Sequence, residues 1–384
     1  MNLRSVGRDP LGQERLLILH DFLGHPFPVG LSHELAGRGW RVAHLYSGDH
    51  VGPHGTLTAR CDRVTVRGVV GESGTAYGEA VTDACAAAVR ETRGPVTLLS
   101  GNAAPSVQAR LLALARERGW RYVYWLQDFY GAATGVGAAT AAVEAETLRG
   151  SDHVVAVTDG FATAAQALGV AAHRVTVIRN WADTPAPDAP DPPVWGPAAD
   201  LVAVGEPILL YAGTLDARHA PELLAHLAAA CARAGLGHVF VVSQGPGREL
   251  LERRCRADGL SRLTLLDLRP YAEVPAMLAA ADVTLVTLAR AAAAVSAPSK
   301  LLACLAAGRC VLVAAPSGTE TARVVTASGG GPLVDPGDTT GFTDAALRLL
   351  REPAVRTACA DAARTWARDA FDVTAVADRF ARVL

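Results

Sequence analysis

The sequence predicts an α/β protein built from two doubly wound domains in tandem, and three observations carry that expectation. Apolar, β-branched runs of four to seven residues alternate with segments of helical period from residue 16 almost to the end, the pattern of a parallel sheet with helices on both faces. A single proline-rich stretch interrupts the alternation near the middle. The length of 384 residues, at roughly 150 per domain, accommodates two or three domains.

In the first half, strands are expected at Leu16–His20, Arg41–Tyr46, Val64–Val69, Val96–Ser100, Tyr122–Leu126, Val154–Thr158 and Val175–Ile178. Helices fill the gaps at Pro28–Arg38, Val81–Arg93, Pro105–Arg118 and Val136–Arg149. From Asp183 to Pro197 six prolines exclude both helix and central strand, so this stretch reads as a linker. Alternation resumes with Ile208–Ala212, His238–Ser243, Leu263–Leu266, Val283–Leu288 and Val311–Ala314, followed by a helical tail after Thr339. The boundaries expected are 1–183 for the first domain, 184–200 for the linker and 201–369 for the second domain. Two such domains would face one another across a cleft, and ligands of these folds bind at the carboxyl ends of the strands.

Composition removes several function classes. A net charge of −2 offers no field of one sign for nucleic acid or an anionic membrane. Hydrophobic residues make up 50% of the chain, but the excess is alanine and aromatics reach only 5%, a helix-rich composition without a membrane-spanning run. The opening MNLRSVGRDPLGQER lacks the apolar core of a signal peptide, so a cytoplasmic location is expected, with peripheral docking at the inner leaflet left open. Seven cysteines without a C-x-x-C spacing indicate neither a disulfide framework nor a zinc site, and buried thiols are expected.

The usual phosphate-binding fingerprints are absent: there is no G-x-x-x-x-G-K-[ST], and no G-x-G-x-x-G follows the first strand of either half. The turn after the first strand instead reads His20-Asp21-Phe22-Leu23-Gly24-His25-Pro26, where the glycine lets a helix start close to the strand end. No D-x-D pair occurs; Glu144 and Glu146 imitate one only within a helical stretch, so no metal is expected.

Arginine supplies every basic residue but one, and the exception is Lys300. It lies in Ala297-Pro298-Ser299-Lys300-Leu301-Leu302, where Pro298 suits the first turn of a helix and Ser296 its cap. First-turn N–H groups and the helix dipole favour an anion there, and an ammonium adds a full charge suited to a departing diphosphate. A second cluster, Tyr211 to His219, follows the first strand of the second half: Gly213 permits close ligand approach, Thr214 follows it, and Arg218 or His219 could reach a phosphate. Ser243-Gln244-Gly245-Pro246-Gly247 is another strand-to-helix turn at the same edge.

Pro298–Gly308, with Gly213–Leu215, Gly245–Gly247 and Gly330–Gly337, resembles the GT-B glycosyltransferases of family 4. Within that family the chain is most similar to the fucosamine-transferase-like enzymes of capsule, O-antigen and colanic acid assembly. The match runs through Gly24-His25-Pro26, Trp125-Leu126-Gln127-Asp128, Asn180-Trp181-Ala182-Asp183 and the Pro298-Ser299-Lys300 turn, in that order. The resemblance implies two Rossmann-like domains, a nucleotide-diphosphate sugar of UDP or GDP type held by the C-terminal one as co-substrate, and an acceptor held by the N-terminal one. It implies metal-independent transfer with retention, no further cofactor, and a last helix within 370–384 that crosses back to the N-terminal domain. Donor contacts are expected at Gly213, Thr214, Gly245, Pro298, Ser299, Lys300, Leu301 and Glu320. Lys300 and Arg218 inherit the phosphate role, because Thr214 and His219 stand where the general pattern has Arg and Lys. Val295 and Ala303 stand where that pattern has two glutamates.

His25 and Asp128 are expected to contact the acceptor, with His20 as a further candidate base. The acceptor class stays open between a small molecule and a lipid-linked sugar, as does the oligomeric state. Two alternatives also stay open: a sugar-nucleotide 2-epimerase, which needs more carboxylates than this second half offers, and a catalytically silent binding subunit, suggested by the two missing glutamates.

Overall fold

The computed structural model describes residues 14–49, 57–58, 61–71, 74–130, 137–184, 190–290 and 299–384. The chain divides into two compact units, one formed by Met1–Asn180 with Asp372–Leu384 and the other by Trp181–Phe371.

The first unit holds seven strands: β1 (Leu16–Asp21), β2 (Arg41–Ser47), β3 (Val64–Val69), β4 (Val96–Gly101), β5 (Arg121–Leu126), β6 (His153–Ala156) and β7 (Val175–Val177). They pair in the order β3-β2-β1-β4-β5-β6-β7, all parallel. Helices cover both faces, which is why β1 is buried along its whole length and reads as a nearly continuous apolar run. Strand order reverses between β1 and β4, leaving their carboxyl ends side by side at the point where such sheets open a crevice.

The second unit repeats the plan with β8 (Ile208–Ala212), β9 (His238–Val242), β10 (Leu263–Leu266), β11 (Val283–Thr287), β12 (Cys310–Ala314) and β13 (Leu333–Val334), in the order β10-β9-β8-β11-β12-β13. Its reversal falls between β8 and β11. Leu209, Tyr211, Val239, Val241, Leu285 and Leu312 from these strands meet Leu224, Leu227 and Phe342 from the helices in one core. Proline at the start and a left-handed glycine at the end bound the helices Pro105–Arg118, Pro221–Ala234 and Pro246–Asp258.

Three local expectations change. The helix expected at Val81–Arg93 runs from Gly74 to Ala88, because Tyr77, Val81, Ala84 and Cys85 form its buried stripe. Helical structure enters the proline-rich stretch at Gly196–Ala198 and Ala199–Ala203, where buried Trp195 packs 5.3 Å from the Phe240 ring and its indole N–H donates to Glu273 at 3.4 Å. The two-residue β13 is too short to leave a periodic signal. Among the cysteines, Cys85, Cys231, Cys304 and Cys310 are buried, whereas Cys61 is exposed.

The helix Val373–Val383 packs within the first unit. Phe380 is fully buried with its ring 5.3 Å from Trp125, and Arg38 donates to Asp378 at 2.7 and 2.9 Å and to the Thr374 carbonyl at 3.0 Å. No helix among the described residues is long and apolar enough to cross a membrane.

Candidate active site

In the second unit the apolar run of β8 ends at Ala212, and the chain leaves the sheet through Gly213 at φ +123°. Leu215 then plugs into the core, donating its N–H to the Gln244 carbonyl at 2.9 Å and accepting from the Gly247 N–H at 2.9 Å. A β-carbon at Gly245 or Gly247 would stand 2.9 or 2.8 Å from Leu215, so the two glycines exist to let these strand-end turns touch. Asp216 closes the turn by accepting from the Arg218 N–H at 2.8 Å and from its guanidinium at 2.7 and 3.0 Å. Arg218, expected to reach a phosphate, is thus engaged at the turn by its own neighbour.

Lys300 enters from the helix Ser299–Ala306, anchored by the buried Leu301 and Leu305. Its stem crosses Gly213, and its ammonium donates to the Tyr211 hydroxyl at 2.9 Å and the Thr214 carbonyl at 2.8 Å, lying 5.1 Å from the centre of the Tyr211 ring. Tyr211 in turn donates to the Thr214 carbonyl at 2.8 Å. An ammonium carries three protons, so its partners among the described residues leave one N–H for an anion. Burial pushes Lys300 down to about 8; the Asp216 carboxylate opposes this and Arg218 adds to it. Burial, with the charge of Lys300, likewise lowers His219 to about 4. His219 is therefore a neutral part of the turn, where its Nδ1 accepts the Asp216 N–H at 3.2 Å.

Thus Lys300, Gly213, Thr214 and Arg218 come together, and Gly245 joins them through Leu215. Ser299 and Leu301 flank Lys300 on its helix. Pro298 lies outside the described residues, as do Ser296 and Val295. Glu320 opens the helix Glu320–Ser328 and pairs with Arg323 at 2.5 and 2.7 Å.

In the first unit the carboxyl ends of β1 and β4 build a second cluster. Asp21, fully buried, accepts the His25 backbone N–H at 2.7 Å and the Asn102 amide at 2.6 Å, and the His25 ring Nδ1 lies 3.3 Å from it. Asn102 follows β4 at φ +56°, a left-handed conformation that asparagine tolerates better than most residues. Burial alone would raise the Asp21 carboxyl; the hydrogen bonds and charge of His25, with the Asn102 amide, hold it below its ordinary value. Burial alone would lower His25; Asp21, and at longer range Asp128, hold it above.

His20 is not part of this cluster. It is buried between the Ser100 and Tyr77 hydroxyls at 2.8 and 2.9 Å, and burial lowers it to about 4, so it is a satisfied core residue. Glu144, one of the two helical glutamates, is buried and accepts the Tyr130 N–H at 3.2 Å. Gln127 and Asn180 from two of the sequence motifs meet directly, the Asn180 amide donating to the Gln127 side-chain carbonyl at 2.5 Å. Asn102 was invisible to sequence reasoning; its only signal was an asparagine directly after a buried strand, on the same edge as the Asp21 turn. Among the described residues no group of three His, Cys, Asp or Glu side chains could hold a metal ion.

Residues 27–181 match the family model described as "Glycosyl transferase 4-like domain", and residues 206–352 the model described as "Glycosyl transferases group 1". The chain is 29% identical over 228 residues to a putative colanic acid biosynthesis glycosyl transferase of Escherichia coli K12. That match covers 55% of each chain, so it spans about half the length of the curated relative. Among solved structures, sucrose-phosphate synthase from Thermosynechococcus elongatus superposes with a TM-score of 0.73 at 17% identity, covering 96% of this chain and 98% of that one. Anabaena HepE in complex with UDP-glucose superposes with a TM-score of 0.72 at 15% identity, with the same coverage. Each half of the chain therefore carries a glycosyltransferase domain, and the two parallel-sheet α/β units are of the GT-B kind.

Proposed function

We propose that this chain transfers a sugar from a nucleotide-diphosphate donor to a hydroxylated acceptor, its second unit holding the donor and its first the acceptor. The observation that carries this is the Lys300 ammonium, locked by Tyr211 and Thr214 at the strand-order reversal of the second sheet with one N–H to spare. A diphosphate gains negative charge as its bond to the anomeric carbon breaks, and a donor already in place stabilises that charge without reorganisation. Gly213 makes room for the lysine stem and Gly245 for the Leu215 turn, Thr214, Ser299 and Leu301 flank the lysine, and the motif resemblance alone supports Pro298 and Glu320 as further donor contacts.

Solved neighbours bound to UDP or UDP-glucose support a uridine donor, with a guanosine donor as the alternative. The motif resemblance supports metal-independent transfer with retention, in the manner of the fucosamine-transferase-like enzymes, to a small-molecule or lipid-linked acceptor. Thermal shift with UDP, GDP and TDP tests the reading. One nucleotide raises the Tm of the wild type and raises that of Lys300→Ala by clearly less at the same concentration. No stabilisation by any of the three overturns it in favour of a silent binding subunit.

A further inference from the structure

Asp21 and Asn102 lie 81 positions apart, in the two turns that flank the strand-order reversal of the first sheet. Asp21 spends one oxygen on the Asn102 amide and the other on the His25 backbone N–H, and its carboxylate also faces the ring Nδ1. Asn102 keeps a left-handed backbone to do this, and its amide nitrogen stands 3.4 Å from the same Nδ1. A fully buried carboxylate is costly unless paired, and backbone strain persists only where its surroundings enforce it. Both costs converge on one ring. Phe27 packs 5.4 Å from it, and Tyr46 lies beneath the adjoining Gly24, so close that a β-carbon there would stand 2.9 Å from the tyrosine ring.

We infer that Asp21 and Asn102 are positioning residues that fix the His25 ring so that its Nε2–H donates to a hydroxyl of the acceptor. Nδ1 is turned to the buried carboxylate, and the His25 side chain keeps 25% of its surface exposed. The charged groups facing the ring are Asp21 from the end of β1 and Asp128 from the end of β5; both favour the protonated imidazole. Asp128, exposed, is suited to accept from a second hydroxyl of the same ligand, so the pair selects a polyol rather than an anion. The inference rests on the proposed function, since it assigns the acceptor side of that reaction.

The test is a histidine-resolved nitrogen NMR titration of the wild type, Asp21→Asn and Asn102→Gly, with UDP affinity measured alongside. Glycine takes the left-handed backbone without strain, so Asn102→Gly should fold even if Asp21→Asn does not. The His25 inflection is expected to fall by about one pH unit in Asp21→Asn. In Asn102→Gly the Nδ1 and Nε2 shifts are expected to move toward those of a freely averaging ring, with UDP affinity unchanged in both variants. With the nucleotide sugar selected by the thermal-shift panel and a mixture of methyl glycosides as acceptors, both variants should raise the acceptor KM about tenfold and leave the donor KM alone. An inflection and ring shifts identical to wild type, or equal changes in the two KM values, overturn the inference. If no nucleotide binds at all, the transferase reading fails instead, and the titration still decides the ring's anchorage.

Discussion

The Lys300 side chain runs so closely over Gly213 that a β-carbon on Gly213 would stand 2.5 Å from the lysine Cε. The glycine and the only lysine in the chain are thus one structural device: the strand end has to be bare for the ammonium to reach Tyr211 and Thr214.

Gly213→Ala should therefore act on ligand binding more than on folding. The new methyl displaces the lysine stem and meets a φ of +123°, at a cost of about 1–3 kcal/mol in stability. Nucleotide affinity is expected to fall at least as far as in Lys300→Ala. Isothermal titration with the stabilising nucleotide, beside a denaturant curve, checks both; affinity equal to wild type would show that Lys300 is not held across this glycine.

Lys300→Ala should weaken nucleotide-diphosphate binding by roughly 1.5–3 kcal/mol, the range for a hydrogen bond to a charged group, and abolish turnover. Because burial brings the lysine down to about 8, nucleotide affinity of the wild type is expected to decline as pH rises through that value. The variant should show no such inflection when affinity is followed from pH 7 to 9.

The Asp21 cluster predicts a window of stability. Asp21 is held below its ordinary 3.8, so its contribution is present above that pH and lost as pH falls through the folded value. His25 is held above 6.5, so its contribution is present below that pH and lost as pH rises through its folded value. The gap in denaturant midpoint between wild type and Asp21→Asn should be widest between about pH 4 and 6.5 and should narrow on either side. A gap independent of pH would mean that the carboxylate charge is not what the cluster uses.

Phe380→Ala should cost about 3–5 kcal/mol, the usual penalty for deleting a fully buried aromatic ring. Its partner is Trp125 of the first unit, so a fall in tryptophan-monitored stability is expected. If the second unit holds the nucleotide as proposed, nucleotide affinity should be unchanged at temperatures where the variant is folded.

Much of this molecule was legible in its residues. A short continuous apolar run marks strands such as Leu16–Asp21, buried on both faces, and period-3.6 patterning marks helices such as Pro105–Arg118. The helix at Gly74–Ala88 starts earlier than its apolar pattern indicates because its first turn is small and polar, and Tyr77 from that turn reaches His20 across the layer. A lone lysine among arginines marks Lys300 and the turn after the strand marks Arg218; only the fold shows that the Arg218 guanidinium pairs with Asp216.

By itself, then, the sequence determined the two-unit α/β architecture, the proline-rich break and the presence of a single lysine among arginines, since each depends on local pattern or composition. Tertiary structure alone decided which groups share a site. A doubly wound sheet places strands distant in sequence side by side where its order reverses, so Lys300 meets Tyr211 across 89 residues and Asn102 meets Asp21 across 81. Hydrogen bonds closed over such distances depend on three-dimensional approach, and no periodicity along the chain records them.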